Sequence, residues 1–360
     1  MPKRPFWSLF GLALLAPLAP GAEPAEWPRF HGPLADNRSP DTGLLKEWPE
    51  GGPELALTLT GIGEGYSSPS IGGGRLFITG VDAEGKQRLS AFDLEGKPLW
   101  SADNGPGWTA KNLWPGARCT PALAGDRVFV LSGHGRLGCF DAKTGKNLWA
   151  ISLVADLGGK LPQWGFAESP LVLGERLYCT PGGPGGALAA LDAKTGKVLW
   201  RSKEVVDPAS YCSAVTFSAG GKTHLATMTV AGAVGVDLAT GALLWKHAHK
   251  TAWDVHATPL TFHAGQAYGV SGYKSGGFLL DLTQAAQGAE AKLLWKDAAL
   301  DDQMGGVVLD KGHIFGSSHQ SKAKGWVCLE WASGKVCYAE PGIGKGSLTY
   351  ADGIDRKSVV

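Results

Sequence analysis

The stretch DAKTGKNLW at residues 141–149 returns almost unchanged as DAKTGKVLW at residues 192–200, so the chain carries the same nonapeptide twice. Including these two, six copies end in an aromatic residue, at Trp100, Trp149, Trp200, Trp245, Trp295 and Tyr338. Consecutive ends are 49, 51, 45, 50 and 43 residues apart. This period is typical of a four-stranded propeller blade and too long for most helical or leucine-rich repeats.

Each copy predicts a hairpin. In RLGCFDAKTGKNLW the run before Asp141 is strand-like, Lys143 to Gly145 turn the chain, and Trp149 lies on the return strand. An aspartate at the start of a turn can accept hydrogen bonds from turn amides, and glycine tolerates the positive φ that such turns need. We expect the repeated aromatic residue to pack between neighbouring sheets, which lie ~10 Å apart.

A second pattern precedes each hairpin: a small residue with proline, an apolar strand, a glycine turn and a second strand, as in CTPALAGDRVFVLSG. Such starts occur near residues 67, 119, 168, 212, 257, 305 and 346. The sequence therefore predicts an all-β, seven-bladed propeller of four-stranded antiparallel blades, with six complete blades and a truncated last one.

The two ends of the propeller carry further expectations. GPELALTLTG, residues 52–61, alternates leucine with smaller residues, which predicts a strand that supplies the outer position of the last blade. After Ile354 the chain continues as DRKSVV and not as an apolar second strand. That hexapeptide resembles a translated sequencing adapter, and we interpret residues 355–360 as a non-native tail.

The N-terminus predicts export. Lys3 and Arg4 precede an apolar stretch and a run of small residues, which together are typical of a secretory signal peptide. The alternative is an uncleaved membrane anchor. The predicted organisation is a signal peptide at 1–22, a leader arm at 23–51, an incomplete propeller at 52–354 and the tail at 355–360, in a protein that is periplasmic or extracellular.

Composition limits the function. The 360 residues are 44% hydrophobic and 19% charged, with a formal net charge of +1, so no basic surface favours nucleic acid as a partner. The 53 glycines and 14 tryptophans suit an array of short strands with many tight turns. We expect a monomer without a membrane span after signal cleavage, and the partner, a small molecule or an envelope protein, stays open.

The hairpin motif Asp-Ala-x-Thr-Gly-x-x-x-Trp, repeated in successive blades, resembles the pyrroloquinoline-quinone (PQQ) repeat family of β-propellers over about residues 54–354. The leader WPRFHGPLADNRSPDTG resembles that of secreted, PQQ-binding-like bacterial propellers of uncharacterised function. The repeat encodes packing, and it is shared by enzymes and scaffolds, so the resemblance implies the fold more strongly than an activity.

Two branches of that family define the alternatives. Quinoprotein alcohol dehydrogenases use PQQ with Ca²⁺, an aspartate base and a disulfide between adjacent cysteines, whereas the outer-membrane assembly branch is a lipidated, non-catalytic scaffold. The cysteines of this chain are Cys119, Cys139, Cys179, Cys212, Cys328 and Cys337, of which no two are adjacent and none is near the start. No cofactor is established by the sequence, and PQQ with Ca²⁺ stays an alternative.

Candidate ligand-binding residues lie in the loops that lead into the first strand of each blade, which converge around the central channel. They are Tyr66, Trp114, Arg118, Trp164, Glu168, Tyr211, Trp253, Asp254, His256 and Lys345, with Phe166 beside them. Flat aromatic surfaces with a few charges suit a sugar, a quinone or a peptide. The competing interpretation is that the aromatic rings fill the ring's narrow end while the charges face solvent.

No metal site and no catalytic residue is predicted. Four histidines and Asp254 crowd into KHAHKTAWDVHATPLTFH, but His247 and His249 belong to the end of one blade and His256 to the start of the next. Oxygen ligands for Ca²⁺ would have to come from Glu168, Asp254, Asp302 and Gln303. No phosphate-loop, nucleophile-elbow or zinc-protease motif occurs in the chain.

The sixth hairpin, WVCLEWASGKVCY, raises one further question. A register that pairs Glu330 with Lys335 places Cys328 opposite Cys337, near enough for a disulfide after small shifts. The alternative is two free thiols that pack as small apolar groups.

From the sequence as a whole we interpret the chain as an exported propeller that binds a ligand or a protein, with a quinoprotein oxidoreductase or an envelope assembly scaffold as alternatives.

Overall fold

The computed structural model describes residues 26–110, 114–285, 289–320, 325–341 and 344–359. The predicted signal peptide at 1–22 lies outside the described residues. The fold is the predicted all-β propeller: six sheets contain four consecutive antiparallel strands each, and a seventh sheet contains three strands. In the described ranges the only helical element is a 3-10 turn at Ala252–Asp254.

The strands are numbered along the chain. The seventh sheet contains β1 (Arg38–Ser39), which precedes all others in sequence. Blade 1 contains β2 (Ser70–Gly72), β3 (Arg75–Val81), β4 (Lys86–Asp93) and β5 (Pro98–Pro106). Blade 2 contains β6 (Ala122–Ala124), β7 (Arg127–Leu131), β8 (Arg136–Asp141) and β9 (Asn147–Ser152). Blade 3 contains β10 (Leu171–Leu173), β11 (Arg176–Cys179), β12 (Ala189–Asp192) and β13 (Val198–Arg201).

Blade 4 contains β14 (Val215–Ala219), β15 (Lys222–Thr229), β16 (Gly232–Asp237) and β17 (Leu243–Ala248). Blade 5 contains β18 (Thr261–His263), β19 (Gln266–Ser271), β20 (Gly276–Asp281) and β22 (Lys292–Asp297), while β21 (Ala289–Glu290) adds to the outer edge of blade 4 in parallel. Blade 6 contains β23 (Val308–Asp310), β24 (His313–Ser318), β25 (Gly325–Glu330) and β26 (Val336–Glu340). Blade 7 contains β1, β27 (Gly346–Ala351) and β28 (Ile354–Val359). We call the successive strands of a blade a, b, c and d.

The hydrophobic core is divided among the seams between blades. Each of six buried clusters joins two consecutive blades, from blades 1 and 2 through to blades 6 and 7. At the seam of blades 5 and 6, for example, Tyr268 and Leu279 pack with Ile314 and Val327. None of these six clusters of described residues joins blade 7 to blade 1. The fold is therefore held by apolar side chains that each sheet buries against the next.

The repeated nonapeptide makes one contact at successive seams. Trp100 of blade 1 donates its indole N–H to Ala142 O of blade 2 at 3.3 Å and covers Gly145 of the same turn. Trp149 makes the same bond to Ala193 O at 3.1 Å and covers Gly196. The turn itself is closed by Asp141, whose carboxylate accepts hydrogen bonds from Thr144. The turn and the tryptophan recur together because the tryptophan of each of these copies contacts the turn of the next copy.

Three copies depart from this arrangement. Trp200 covers Gly241 of blade 4, but its indole N–H has no hydrogen-bond partner among the described residues. Trp245 is fully buried, packs on Gly235 of its own blade and donates to His224 Nδ1 at 2.9 Å. In its neighbour, blade 5, a longer connection of residues 282–291 separates strands c and d. Tyr338 remains 43% exposed at the seam with blade 7.

A β-bulge displaces the predicted cysteine pair. In blades 1 to 6 the c–d ladder shifts by one residue just before the repeated aromatic side chain. Glu330 and Lys335 close the sixth turn as expected, but the shift places Tyr338 opposite Cys328 and leaves Cys337 in the bulge. The predicted register, in which Cys328 lies directly opposite Cys337, is therefore wrong, since two residues of strand d oppose one of strand c. The structure contains both cysteines as free thiols.

The leader crosses the ring at the end where strands a finish. Trp27 pairs with Ile71 of blade 1, and Pro28 O accepts from Leu123 N of blade 2 at 2.7 Å. Further along, β1 pairs in parallel with β27, so the leader becomes the axial strand of blade 7. Strands a of blades 1, 2 and 3 lie against one another, as do those of blades 6 and 7. Residues 26–39 thus contact the axial strands of blades 1, 2 and 7 and, through Asn37 and Gly305 O, the loop before blade 6.

The predicted strand at residues 52–61 is wrong, because no β-strand forms there. The segment nevertheless packs where an outer strand of blade 7 would contact blade 1. A Cβ built on Gly96, in the c–d turn of blade 1, lies 2.3 Å from Leu57 Cδ1. The equivalent glycines of blades 2 and 3 lie under the preceding blade's tryptophan. Leu57 therefore takes the tryptophan's place without a ladder of hydrogen bonds.

Replacing this leucine tests the assignment. Leu57→Ala is expected to lower the free energy of unfolding by about 1–2 kcal/mol, because a side chain still 38% exposed is only partly buried. Leu55→Ala, two residues away and 79% exposed, serves as the control and is expected to change it by less than about 0.5 kcal/mol. Urea unfolding of both variants measures the difference, and equal effects would show that Leu57 does not hold the seam.

The last described strand was not expected from its sequence. Residues Ile354–Val359, which include most of the segment interpreted as a non-native tail, form β28 and pair antiparallel with β27. The segment DRKSVV can form a strand because the hydrogen bonds of the ladder join backbone N–H and C=O groups, and every residue except proline provides both. Blade 7 is therefore described with strands a and b plus the axial β1.

Candidate functional site

The ends of the blades opposite the leader form what we call the upper face, built from the d–a loops and the b–c turns. In a four-stranded meander the d–a loops and the b–c turns lie at the same end of the strands, while the a–b and c–d turns lie at the opposite end. The upper face therefore gathers the loops that lead into the axial strands. Loops on a rigid ring are common positions for binding residues.

Arg118 lies at the centre of one half of the upper face. Its guanidinium packs over the ring of Trp108, 5.8 Å from the centroid, and donates to Trp114 O. The phenol groups of Tyr66 and Tyr211 lie near enough to act on its charge, although burial has the larger effect and lowers the pKa of Arg118. Residues from three loops that lead into strands a thus gather around one cation.

A second aromatic contact extends this half of the face across blades 3, 4 and 5. The ring of Trp164 lies 6.0 Å from Tyr211 and 6.5 Å from Trp253, edge to face in the latter pair. Tyr211 Oη accepts a hydrogen bond from Trp164 N at 3.3 Å. Burial raises the pKa of Tyr211 to about 12, so the phenol stays protonated and neutral at physiological pH. Asp254, next to Trp253, is exposed on the same loop.

The backbone of this face is held in an uncommon conformation. Non-glycine residues rarely adopt positive φ, because Cβ then crowds the backbone. Trp114, Trp253, Asp254, Tyr273 and Lys274 all do so, with φ between 54° and 66°. Two of them, Trp114 and Trp253, are 67% and 64% exposed. Strain of this kind persists where the surrounding structure fixes it, and it clusters at functional sites.

The other half of the face is more polar. Tyr273 Oη accepts a hydrogen bond from Gln303 Nε2 at 2.7 Å, and its ring meets His319 edge to face at 5.1 Å. His319 Nδ1 lies 3.0 Å from Lys345 Nζ. Tyr273 also lies near enough to Tyr211 to influence its ionisation. The two halves are therefore continuous.

Two of the predicted binding residues lie below the face and not on it. Glu168 is 3% exposed, and Oε1 accepts from Thr180 N at 2.7 Å. His256 is completely buried, with Nδ1 2.8 Å from Ser271 Oγ. Burial raises the pKa of Glu168 to about 7 and lowers the pKa of His256 to about 3. The structure therefore places these two predicted side chains among buried groups and not on the exposed part of the upper face.

The carboxylates considered for calcium do not converge. Asp302 is buried and accepts hydrogen bonds from Thr258 Oγ1 at 2.6 Å and Gly306 N at 3.0 Å. The carboxylate of Glu168 accepts a hydrogen bond from Thr180 N in blade 3, and Asp254 lies on an exposed loop of the upper face. In the part of the chain that the structure describes, no three His, Cys, Asp or Glu residues are grouped to hold an ion. In the described ranges these residues therefore do not fit a calcium cage for PQQ.

Sequence reasoning missed the contribution of the b–c turns. His134 packs on Trp108 at 5.1 Å, and both Tyr273 and His319 come from the same kind of turn. The signal was present, because a strand order predicted as a meander places b–c turns beside d–a loops. Met304 was also missed: it lies in the d–a loop before blade 6 and is 56% exposed.

Across the described ranges, no helix has the length and apolar character needed to cross a membrane.

Among curated proteins, the chain is similar to the dehydrogenase subunit of alcohol dehydrogenase (quinone) from Gluconacetobacter polyoxogenes. The two are 34% identical over 122 residues, which span 31% of this chain and 16% of that protein. The match therefore covers a small part of the enzyme.

Solved structures show a likeness of fold. BamB from Moraxella catarrhalis aligns with a TM-score of 0.52 and 17% identity, over 77% of this chain and 75% of that one. The computationally designed Ika8 protein aligns with the same TM-score and 12% identity, over 84% and 83% of the two chains. A family model described as outer membrane protein assembly factor BamB, of the PQQ-repeat type, matches residues 59–339. With most of its length matched, and with the hairpin contact repeated from blade to blade, the chain belongs to this family of PQQ-like β-propellers.

Proposed function

We propose that this chain is an exported, non-catalytic binding module that docks a protein partner of the cell envelope on its upper face. The observation that carries the proposal is the set of exposed aromatic side chains gathered around Arg118 on a strained backbone. Large apolar side chains on a soluble surface cost free energy unless a partner covers them. The upper face presents several of them side by side.

The chemistry of the face favours a protein over a small molecule. Tryptophan, tyrosine, methionine and arginine are the residues enriched in protein interfaces and among their hot spots. Trp114, Trp253, Tyr66 and Met304 are 67%, 64%, 61% and 56% exposed. Side chains this exposed cover a broad surface, whereas a drug-sized ligand requires a cleft that encloses most of it.

The face is also preorganised. Trp253 and Trp114 have positive φ, and the loop of Trp253 is fixed by Ser210 Oγ, which donates to Asp254 O at 2.7 Å. Binding then requires little further ordering of these side chains, which reduces its entropic cost. The family description, an assembly factor of the outer membrane, agrees with a docking role. The charged, apolar and small-residue start of the chain supports export.

The partner is sought with a photo-crosslinking residue introduced at Trp253 in the native host. We expect one discrete crosslinked protein from this position and none from Leu199, which is 49% exposed on the outer strand of blade 3. Purified partner should then bind the wild-type chain without other components. Crosslinks of equal yield from both positions, or a partner that does not bind once purified, would contradict the proposal.

Truncation of the exposed tryptophans is expected to reduce affinity for that partner. Trp253→Ala and Trp114→Ala should each raise Kd at least about 10-fold, as is common for interface tryptophans, while leaving the unfolding midpoint within about 2 °C. Leu199→Ala is the control and should bind as the wild type does. Calorimetry with the purified partner measures both. Unchanged Kd in both tryptophan variants would remove the upper face from the interface.

A quinone-dependent dehydrogenase is the second candidate, favoured by the match to alcohol dehydrogenase (quinone). It is separated from a docking module by titrating the purified chain with PQQ and Ca²⁺, followed by gel filtration. Quinone absorbance that elutes with the protein would support the enzyme. Absorbance that separates from it would leave the docking role as the function.

A further inference from the structure

The leader places a charged side chain inside the ring. Arg29 follows Pro28, whose carbonyl joins blade 2, and it retains only 9% of its accessible surface. Its Nη2 reaches Ala214 O, just before β14 in blade 4, at 3.2 Å. The guanidinium therefore extends from the leader to the start of the axial strand of another blade.

This guanidinium has no counter-charge in the described part of the chain. The bond to Ala214 O is the hydrogen bond that its side chain makes there, and Arg29 Nε is buried without a partner. Arg38, the other arginine of the leader, differs in this respect. Its two terminal nitrogens bind Leu309 O at 2.7 Å and the carboxylate of Asp310 at 3.1 Å.

An unpaired buried cation is costly. Burial lowers the pKa of Arg29 to about 10, which still leaves the side chain charged at neutral pH. The ring of His31 is buried nearby, and burial together with the charge of Arg29 lowers its pKa to about 3. The positive charge is thus strong enough to act on its neighbour and is not neutralised by it. Proteins ordinarily retain such a charge only with an anionic partner.

We propose that Arg29 binds an oxyanion, a carboxylate or a phosphate group, inside the central channel. A guanidinium offers a planar fork of N–H donors that fits the two oxygens of such a group, and Nε is one of the donors left free. The oxyanion is either a free ion or the acidic end of a larger molecule that enters from the upper face. The inference does not depend on the docking function, because it uses no residue of the upper face.

The test uses the full purified chain and two probes, inorganic phosphate and acetate, in a buffer otherwise free of oxyanions. We expect saturable binding of about one phosphate by calorimetry and a rise of about 2–5 °C in the unfolding midpoint at saturation. Tighter acetate than phosphate binding would identify a carboxylate as the native group. Affinity for both probes only above about 10 mM would indicate the end of a larger molecule.

Variants distinguish this site from general salt effects. Arg29→Gln is expected to abolish the saturable part, and Arg29→Lys, which keeps the charge without the fork, to weaken it about 10-fold or more. Arg38→Gln should bind phosphate as the wild type does. The proposal is wrong if the wild type binds neither probe saturably, or if Arg29→Gln keeps the wild-type affinity. Should Arg29→Gln fail to fold, the wild-type titration and Arg29→Lys decide.

Discussion

Gly145→Ala is expected to lower the free energy of unfolding by about 2–5 kcal/mol. Gly145 has φ of +72°, and a Cβ added there lies 2.5 Å from Cε3 of Trp100. An alanine in this conformation is strained by about 1–2 kcal/mol, and forcing a methyl group against a packed ring adds about 1–3 kcal/mol. The indole cannot move away freely, because its N–H is bonded to Ala142 O. Urea unfolding measures the loss.

Gly74→Ala separates the two contributions. Gly74, in the a–b turn of blade 1, has nearly the same φ of +69°, but nothing lies within 4 Å of its added Cβ. It should therefore show the backbone strain alone, about 1–2 kcal/mol. In a Trp100→Leu background, Gly145→Ala should cost no more than Gly74→Ala. If the two alanine variants are equally stable with Trp100 present, the seam contact does not explain the repeat.

The architecture could be predicted from the sequence because the seam contact is written into nine consecutive residues. Each copy contains a turn that uses an aspartate and a glycine, as at Asp141 and Gly145, and a tryptophan that covers the next such turn. These copies repeat at the length of a four-stranded propeller blade. The bulge before each aromatic residue could not be predicted in this way. It changes the register by one residue, and in blade 6 no glycine or proline marks the shift between Val336 and Tyr338, which is why the predicted register of Cys328 was wrong.

The candidate site was predictable only where it lies in the loops that lead into strands a. There the sequence places aromatic and charged residues in register, and the structure brings Tyr66, Trp114, Arg118, Trp164 and Tyr211 together. Glu168 and His256 occupy the same loops, but they point inward, since a loop residue's direction depends on tertiary contacts. The leader was less predictable still, because its partners are backbone groups and its contacts span most of the chain.

Glu168→Gln is expected to become more stabilising, relative to the wild type, as pH rises. Burial raises the pKa of Glu168 from 4.5 to about 7, so the folded state holds a proton that the unfolded chain releases. The stability due to this group is present below pH 4.5 and is lost as pH rises through 7. The loss amounts to about 3 kcal/mol for a shift of this size. Glutamine carries no ionisable proton, and its carbonyl can still accept from Thr180 N.

The measurement is the free energy of unfolding of both chains at pH 5 and at pH 8.5. The difference between variant and wild type should move by about 3 kcal/mol in favour of the variant at the higher pH. Asp192→Asn is the matched control, because hydrogen bonds from Thr195 lower the pKa of Asp192 and its titration ends below pH 5. Its effect should be the same at both values. A Glu168→Gln difference that does not change with pH would show that Glu168 is ionised in the fold, and that its blade provides a counter-charge.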